Sequence, residues 1–223
     1  ANQAAYFSTI YQHGLGEFWF VNNLSPQTFK GFPADAATAP PARRYDRAGI
    51  LLLMSGGKDS LVSSLLLQRA GRDFTPLFIT NDGRYPHMLD RVSKRPTTVI
   101  TRKIDHAALT ALQQAGGRNG HIPFSAIIAA VSLTAAVLSG YNIVASSNES
   151  SANEGNAAIG DFIVNHAWSK SFQYEQLLQA YLHEFISPDL QYVSLIRQYS
   201  DLKIAELFTK LGWEKYSSQF SSC

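Results

Sequence analysis

Ser55, Gly56, Gly57, Lys58, Asp59 and Ser60 follow one another without a break, between the apolar run 50–54 and a helical pattern that begins at Leu61. Two adjacent glycines let backbone N–H groups come close to an anion, and the helix beyond them turns its positive N-terminus to the same point. The six residues read as a phosphate cradle, with a plain Gly-Gly turn and helix cap as the bland alternative. Lys58 supplies a point cation for phosphate charge, and Asp59 either holds Mg²⁺ or caps the helix. This is not a Walker loop: Leu52 stands where that pattern needs glycine, and Asp59 where it needs Ser or Thr.

Two further polar stretches carry side chains able to do chemistry. One runs over 146–156 and includes Asn148, Glu149, Glu154 and Asn156; the other runs over 164–171 and includes His166 and Lys170. Glu149 and Glu154 suit metal binding, proton transfer or the orientation of Lys170, and a solvated Asx-rich loop is the competing reading. Arg118, Asn119 and His121 lead into a long apolar stretch, where their donors suit a carboxylate or phosphate. His121 is a candidate base, or simply a cap or core histidine. Near the N-terminus, His13 and Glu17 are spaced around Gly14 and Gly16, a weak signal in isolation.

Elements must hold these residues in place. The apolar patterning predicts strands over 50–54, 75–80, 97–101, 141–146 and 192–196, and helices over 59–70, 88–92, 122–139, 170–185 and 201–211. Strands alternating with helices predict an α/β fold, a mainly parallel sheet with helices on both faces. Ligands of such sheets sit at the carboxyl ends of the strands, so the loops after Met54, Thr80, Thr101, Ser146 and Ile196 should ring one site. Residues 1–47 mix aromatics with a Pro- and Ala-rich tract and are expected to form an N-terminal arm and linker, leaving 48–223 as the nucleotide-binding domain. The uncharged stretch 122–139 is barely long enough to span a bilayer. Pro123 in its first turn and Gly140-Tyr141-Asn142 at its end mark it instead as a buried helix.

Composition narrows the partners. With 19 Lys and Arg against 17 Asp and Glu, the formal charge is +2, and the basic residues are scattered. That argues against nucleic acid and for a small anionic molecule. One cysteine, Cys223, excludes a disulfide framework and a Cys-based metal site, and suits a reducing cytoplasm. No basic-then-apolar leader opens the chain. A cytoplasmic protein without membrane insertion is expected, cut at its C-terminus from a longer one; nothing here sets the oligomeric state.

The pattern Ser-Gly-Gly-x-Asp-Ser resembles the PP-loop of the ATP pyrophosphatase superfamily, whose members cleave ATP between the α and β phosphates. The chain also carries, in order, His13-Gly-Leu-Gly-Glu17, Asn119-Gly-His-Ile-Pro123, Asn148-Glu149, Ser151-Ala152, Gly155-Asn156, Val164-Asn165-His166 and Ser169-Lys170-Ser171. As an ordered set these resemble the ATP-dependent UDP-N-acetylmuramoyl-L-alanyl-L-glutamate epimerase family. Ser55 departs from it, since glycine is expected there. The resemblance implies an adenine nucleotide alpha-hydrolase-like domain, ATP as cosubstrate with Mg²⁺, and a nucleotide-linked dipeptide as substrate. The implied reaction turns the terminal L-Glu into D-Glu through an adenylated carboxylate, releasing AMP and pyrophosphate, in peptidoglycan precursor synthesis.

By the same resemblance, residues 55–60 hold the nucleotide, while Arg118, Asn119, Asn148, Asn156 and Lys170 meet the substrate. Catalytic roles fall to Lys58, Asp59, His121, Glu149, Glu154, His166 and Lys170. The general base stays open among His121, Glu149, Glu154 and His166, with His13 and Glu17 behind them. Two alternatives stand beside this reading: another adenylating PP-loop enzyme, of the amide-forming synthetase or deazaguanine nitrile synthase type, and a non-catalytic nucleotide-binding module.

Overall fold

A strand whose consecutive side chains are all apolar belongs at the centre of a sheet covered on both faces, and Ile50, Leu51 and Leu52 are all buried in β1 (Ile50–Leu53). The computed structural model describes residues 3–34 and 40–221; Cys223 lies outside the described residues. β1 is flanked by β2 (Thr75–Thr80) and β4 (Ile143–Ser146), with β3 (Thr98–Thr101) outside β2 and β7 (Gln191–Ser194) outside β4. All four pairings are parallel. Successive strands move one way from β1 to β3 and the other way from β4 to β7, so the order reverses between β1 and β4. That switch point leaves a crevice at the carboxyl ends of the two strands.

Alternation of side chains divides the core into two layers. Leu52 and Met54 face α3 (Lys58–Arg69), α4 (Met88–Ser93) and α8 (Asp201–Leu211) through Leu61, Val62, Leu89 and Ile204. Leu51, Leu77 and Val144 face α1 (Gln3–Gly14), α6 (Phe124–Ser139) and α7 (Phe172–Tyr181) through Ile10, Ala129, Leu133 and Tyr174. The α/β class and the parallel sheet are those expected.

Several expectations are corrected. The N-terminal arm is, over its described residues, built into the domain: α1 and α2 (Gly16–Val21) pack on it, and Ile10 joins the core. Helix 122–139 is buried on one face only. Ala126, Ala129, Leu133 and Ala136 point inward, whereas Ile127, Val137 and Leu138 stay exposed, because a helix that is apolar all round has just one side to give to the sheet. Its outer side forms, with α1 and α7, an apolar groove of about 720 Å³. No helix among the described residues is long and apolar enough to cross a membrane.

Local capping explains other boundaries. The helix expected over 170–185 starts after Ser171, whose hydroxyl accepts the Tyr174 N–H at 3.2 Å, and it ends in a single π turn, Leu182–Ile186. An unexpected α5 (His106–Gln114) is started by Asp105, which accepts the Ala108 N–H at 2.9 Å. A short antiparallel hairpin, β5 (Ala157–Ile159) and β6 (Phe162–Val164), turns at Gly160-Asp161, within what read as irregular loop. The last helix, α9 (Trp213–Tyr216), follows α8 directly.

Candidate functional site

The loop 55–60, expected from its residues to cradle phosphate, forms where β1 ends at the switch point. Gly56 has φ +86°, a left-handed conformation in which a side chain would be strained, and this bend turns the chain into α3. Gly57 occupies the N-cap position and no side chain caps the helix. Asp59 is therefore not the cap: its carboxylate receives Lys58 Nζ at 2.8 Å, and the same ammonium reaches Asp201 Oδ1 at 3.0 Å. Partial burial acts to lower the Lys58 pKa, but its bonds to the two carboxylates outweigh this and raise it above the ordinary lysine value.

Ser55 is exposed and accepts the Gly57 N–H at 3.3 Å, whereas Ser60 is buried and donates to the Gly57 carbonyl at 3.0 Å. The Ser221 N–H donates to the Gly56 carbonyl at 3.0 Å and braces the loop from outside. Asp59 and Asp201 are the carboxylates here that could hold Mg²⁺, an ion that usually takes one or two carboxylates together with phosphates. Among the described residues no group of three or more His, Cys, Asp and Glu side chains could hold a metal ion. Asp201 escaped sequence reasoning because 143 positions separate it from Lys58 and no motif surrounds it.

The loop after β4 forms the other wall. Ser147 donates to Ser63 Oγ at 2.7 Å, tying this loop to α3. Asn148 is fixed by Ser194, which accepts its N–H at 2.9 Å and donates to its carbonyl at 2.6 Å; its side-chain amide donates to Ser146 Oγ at 3.3 Å. Glu149 accepts from Ser151 Oγ at 3.1 Å, and its carbonyl accepts from Arg197 Nη1 at 3.0 Å. Arg197 is itself held by Glu175, at 2.7 Å from Nη2 and 3.3 Å from Nε, with side chains only 15% and 12% exposed. This largely covered pair, absent from the sequence reading, fixes the backbone that presents Glu149.

Asparagines of the two polar stretches bond to backbone, chiefly that of 166–172. Asn156 accepts the His166 N–H at 2.9 Å, Asn165 the Ala167 N–H at 2.8 Å, and Asn153 the Phe172 N–H at 2.7 Å. Glu154 and Lys170 stand exposed.

A third group assembles where α6 begins. Because α6 runs back from the end of β3 to the start of β4, its N-terminus lies at the same carboxyl edge. The end of α1 meets that turn closely enough that a Cβ on Gly14 would stand 2.7 Å from Pro123 Cβ. Arg118 Nη1 donates to the Asn22 carbonyl at 2.7 Å, and Asn22 Nδ2 donates to the Asn119 carbonyl at 3.0 Å, clipping the turn to the end of α2. His121 and His166 meet edge to face with ring centroids 6.4 Å apart. His13 is stacked against Phe162 and Trp168, at 5.3 and 5.5 Å, and burial lowers its pKa. Three stretches remote in sequence thus share one corner. His13 packs within it, while His121 and His166 are the titratable rings it brings together.

The model of the family described as MurL N-terminal domain matches residues 1–195. A protein of Xanthomonas oryzae pv. oryzae (strain MAFF 311018) named UDP-N-acetyl-alpha-D-muramoyl-L-alanyl-L-glutamate epimerase is 39% identical over 225 residues, covering 100% of this chain and 49% of its own length. One of the same name from Micromonospora sp. (strain ATCC 39149 / NRRL 15099 / SCC 1413) is 37% identical, covering 99% and 49%. The chain spans about half the length of the curated relatives it matches. Among solved structures, the chain is similar to NMN synthetase from Francisella tularensis (TM-score 0.44, 15% identity, 75% of this chain and 63% of that one). It is also similar to the U34-tRNA thiolase NcsA from Methanococcus maripaludis (TM-score 0.48, 14% identity, 81% and 62%).

Proposed function

The chain belongs to the MurL N-terminal domain family, and from that premise we propose that it supplies the ATP-binding part of an enzyme converting the terminal L-Glu of UDP-N-acetylmuramoyl-L-alanyl-L-glutamate to D-Glu. The observation that carries this reading is the corner where His121 and His166 stand in ring contact, on the same sheet edge as the phosphate loop.

A free α-carboxylate resists loss of its neighbouring Cα–H, because the carbanion would share its electrons with a group already negative. Attack of a carboxylate oxygen on the α-phosphorus of ATP removes that charge and expels pyrophosphate into the Gly56–Gly57 loop, where Lys58 neutralises it. Asp59 and Asp201 would hold Mg²⁺, which supplies further charge neutralisation at the phosphates. The acyl adenylate then has an acidic Cα–H. A base within about 3 Å takes the proton, and return from the opposite face inverts the centre. His121 and His166 are the two bases we assign, with Glu149, whose backbone carbonyl is bound by Arg197, as the further acid–base candidate. Hydrolysis of the mixed anhydride releases AMP and the D product.

The test is the full-length protein incubated with ATP and the L-Glu dipeptide nucleotide in D₂O. Recovered D-Glu should carry α-deuterium, with AMP and pyrophosphate formed alongside. ADP and phosphate as products would exclude α-phosphate attack, and a new amide without α-exchange would identify a ligase.

A further inference from the structure

Several cations at the carboxyl edge of the sheet already have an acidic partner, and Arg118 is committed to the Asn22 carbonyl. Lys58 is bound to Asp59 and Asp201, Arg197 to Glu175, and Arg84 lies 3.7 Å from Asp82. Arg102 is different. It stands one residue past β3, and its backbone N–H donates to the Thr80 carbonyl at 2.7 Å. Its guanidinium donates from Nε and from Nη2 to Asn81 Oδ1, each at 3.1 Å, and Cζ lies 4.6 Å from the centroid of the Phe124 ring. Every one of these partners is neutral, and among the described residues Arg102 pairs with no carboxylate.

A long side chain gives up rotamer freedom to be held this way, and neither the amide nor the ring cancels its charge. Asn81 occupies the Nε edge of the guanidinium. The end-on edge keeps the Nη1 hydrogens and one on Nη2, a planar two-donor fork that matches a carboxylate. Phe124 opens α6 three residues after His121, so the fork is anchored on the first residue of the helix into which the His121 turn leads.

We infer that Arg102 is a substrate-binding residue whose end-on fork takes the side-chain carboxylate of the terminal glutamate, leaving the α-carboxylate free for activation. This rests on the function proposed above. A diphosphate oxygen pair could fill the same fork, and the experiment separates the two.

Binding to the full-length protein is measured by calorimetry for two ligands, the dipeptide nucleotide ending in L-Glu and its analogue ending in L-Gln. The wild-type protein should prefer the Glu form by about tenfold or more, the size expected of a charge-assisted pair. Arg102→Gln should abolish the preference while leaving ATP affinity and melting temperature unchanged. Arg102→Lys should restore little of it, because a point charge lacks the fork. Asn81→Ala, which removes the anchor but not the charge, should weaken the Glu form several-fold.

Equal loss for both ligands in Arg102→Gln would overturn the assignment in favour of a diphosphate or structural role, and loss of ATP affinity would move the residue to the cosubstrate. A retained Glu preference, or no preference in the wild type, would overturn it outright. Deuterium incorporation decides the epimerase reading separately. Exchange with no Arg102 effect sinks only this inference, and discrimination without exchange sinks only the reaction.

Discussion

His13 shows how a titratable residue of a motif becomes a packing residue. Stacked against Phe162 and Trp168, it is partly shielded from water, and this burial disfavours its protonated form and lowers its pKa below 6.5. The unfolded chain therefore takes up that proton first as pH falls. The contribution of His13 to stability is present above about pH 6.5 and is lost progressively below it. The melting temperature of His13→Phe minus that of the wild type should then grow as pH is lowered from about 7.5 to 5. A difference constant with pH would show that His13 titrates alike in both states. Lys58 has the opposite sign: its raised pKa stabilises the fold below the ordinary lysine value, and that contribution disappears as pH rises through the raised one.

At the scale of elements, the site depends on how closely α1 approaches the turn into α6. Gly14 permits it, since a Cβ there would lie 2.7 Å from Pro123 Cβ and 3.1 Å from Pro123 Cγ. Alanine in a helix is worth up to about 1 kcal/mol over glycine. Here that gain meets a rigid proline ring, and overpacking of this kind costs about 1–3 kcal/mol. Gly14→Ala should therefore lower the denaturant midpoint with an unchanged slope, and should slow turnover by displacing His121. A raised midpoint would mean that α1 can slide outward freely. The starts of α5, α7 and α8 obey a simpler local rule, although α5 itself went unread in the sequence: Asp105, Ser171 and Ser200 each accept a backbone N–H three residues on.

For the molecule as a whole, the two helical layers share one set of strands, so neither can lose its packing without exposing the back of the other. Leu52 and Leu77 are both fully buried, on opposite faces. Leu52→Ala and Leu77→Ala should each cost about 2–5 kcal/mol and shift one common unfolding transition. Two resolved transitions in either variant would show that the layers melt separately. The same sheet decides where the candidate site lies, because its order reverses between β1 and β4, and the Ser55–Ser60 loop and the Asn148–Glu149 loop follow those two strands.

By itself the sequence determined what depends on short range. The apolar run before Ser55 and the glycines after it specify a strand, a turn and a helix start, and the strand–helix alternation specifies a parallel sheet. Ordered motifs were enough to indicate the family. The tertiary structure decided what depends on residues meeting across long separations. It put Asp201 on Lys58, Glu175 on Arg197 and Asn81 under Arg102, and it brought the ring of His121 to that of His166. It also bound Asn156 and Asn165 to backbone N–H groups, where their motif could equally have served a ligand. The physical reason is one of range. Backbone propensity and periodicity act over a few residues and are written along the chain, whereas an ion pair or ring contact depends on which strands the fold makes neighbours.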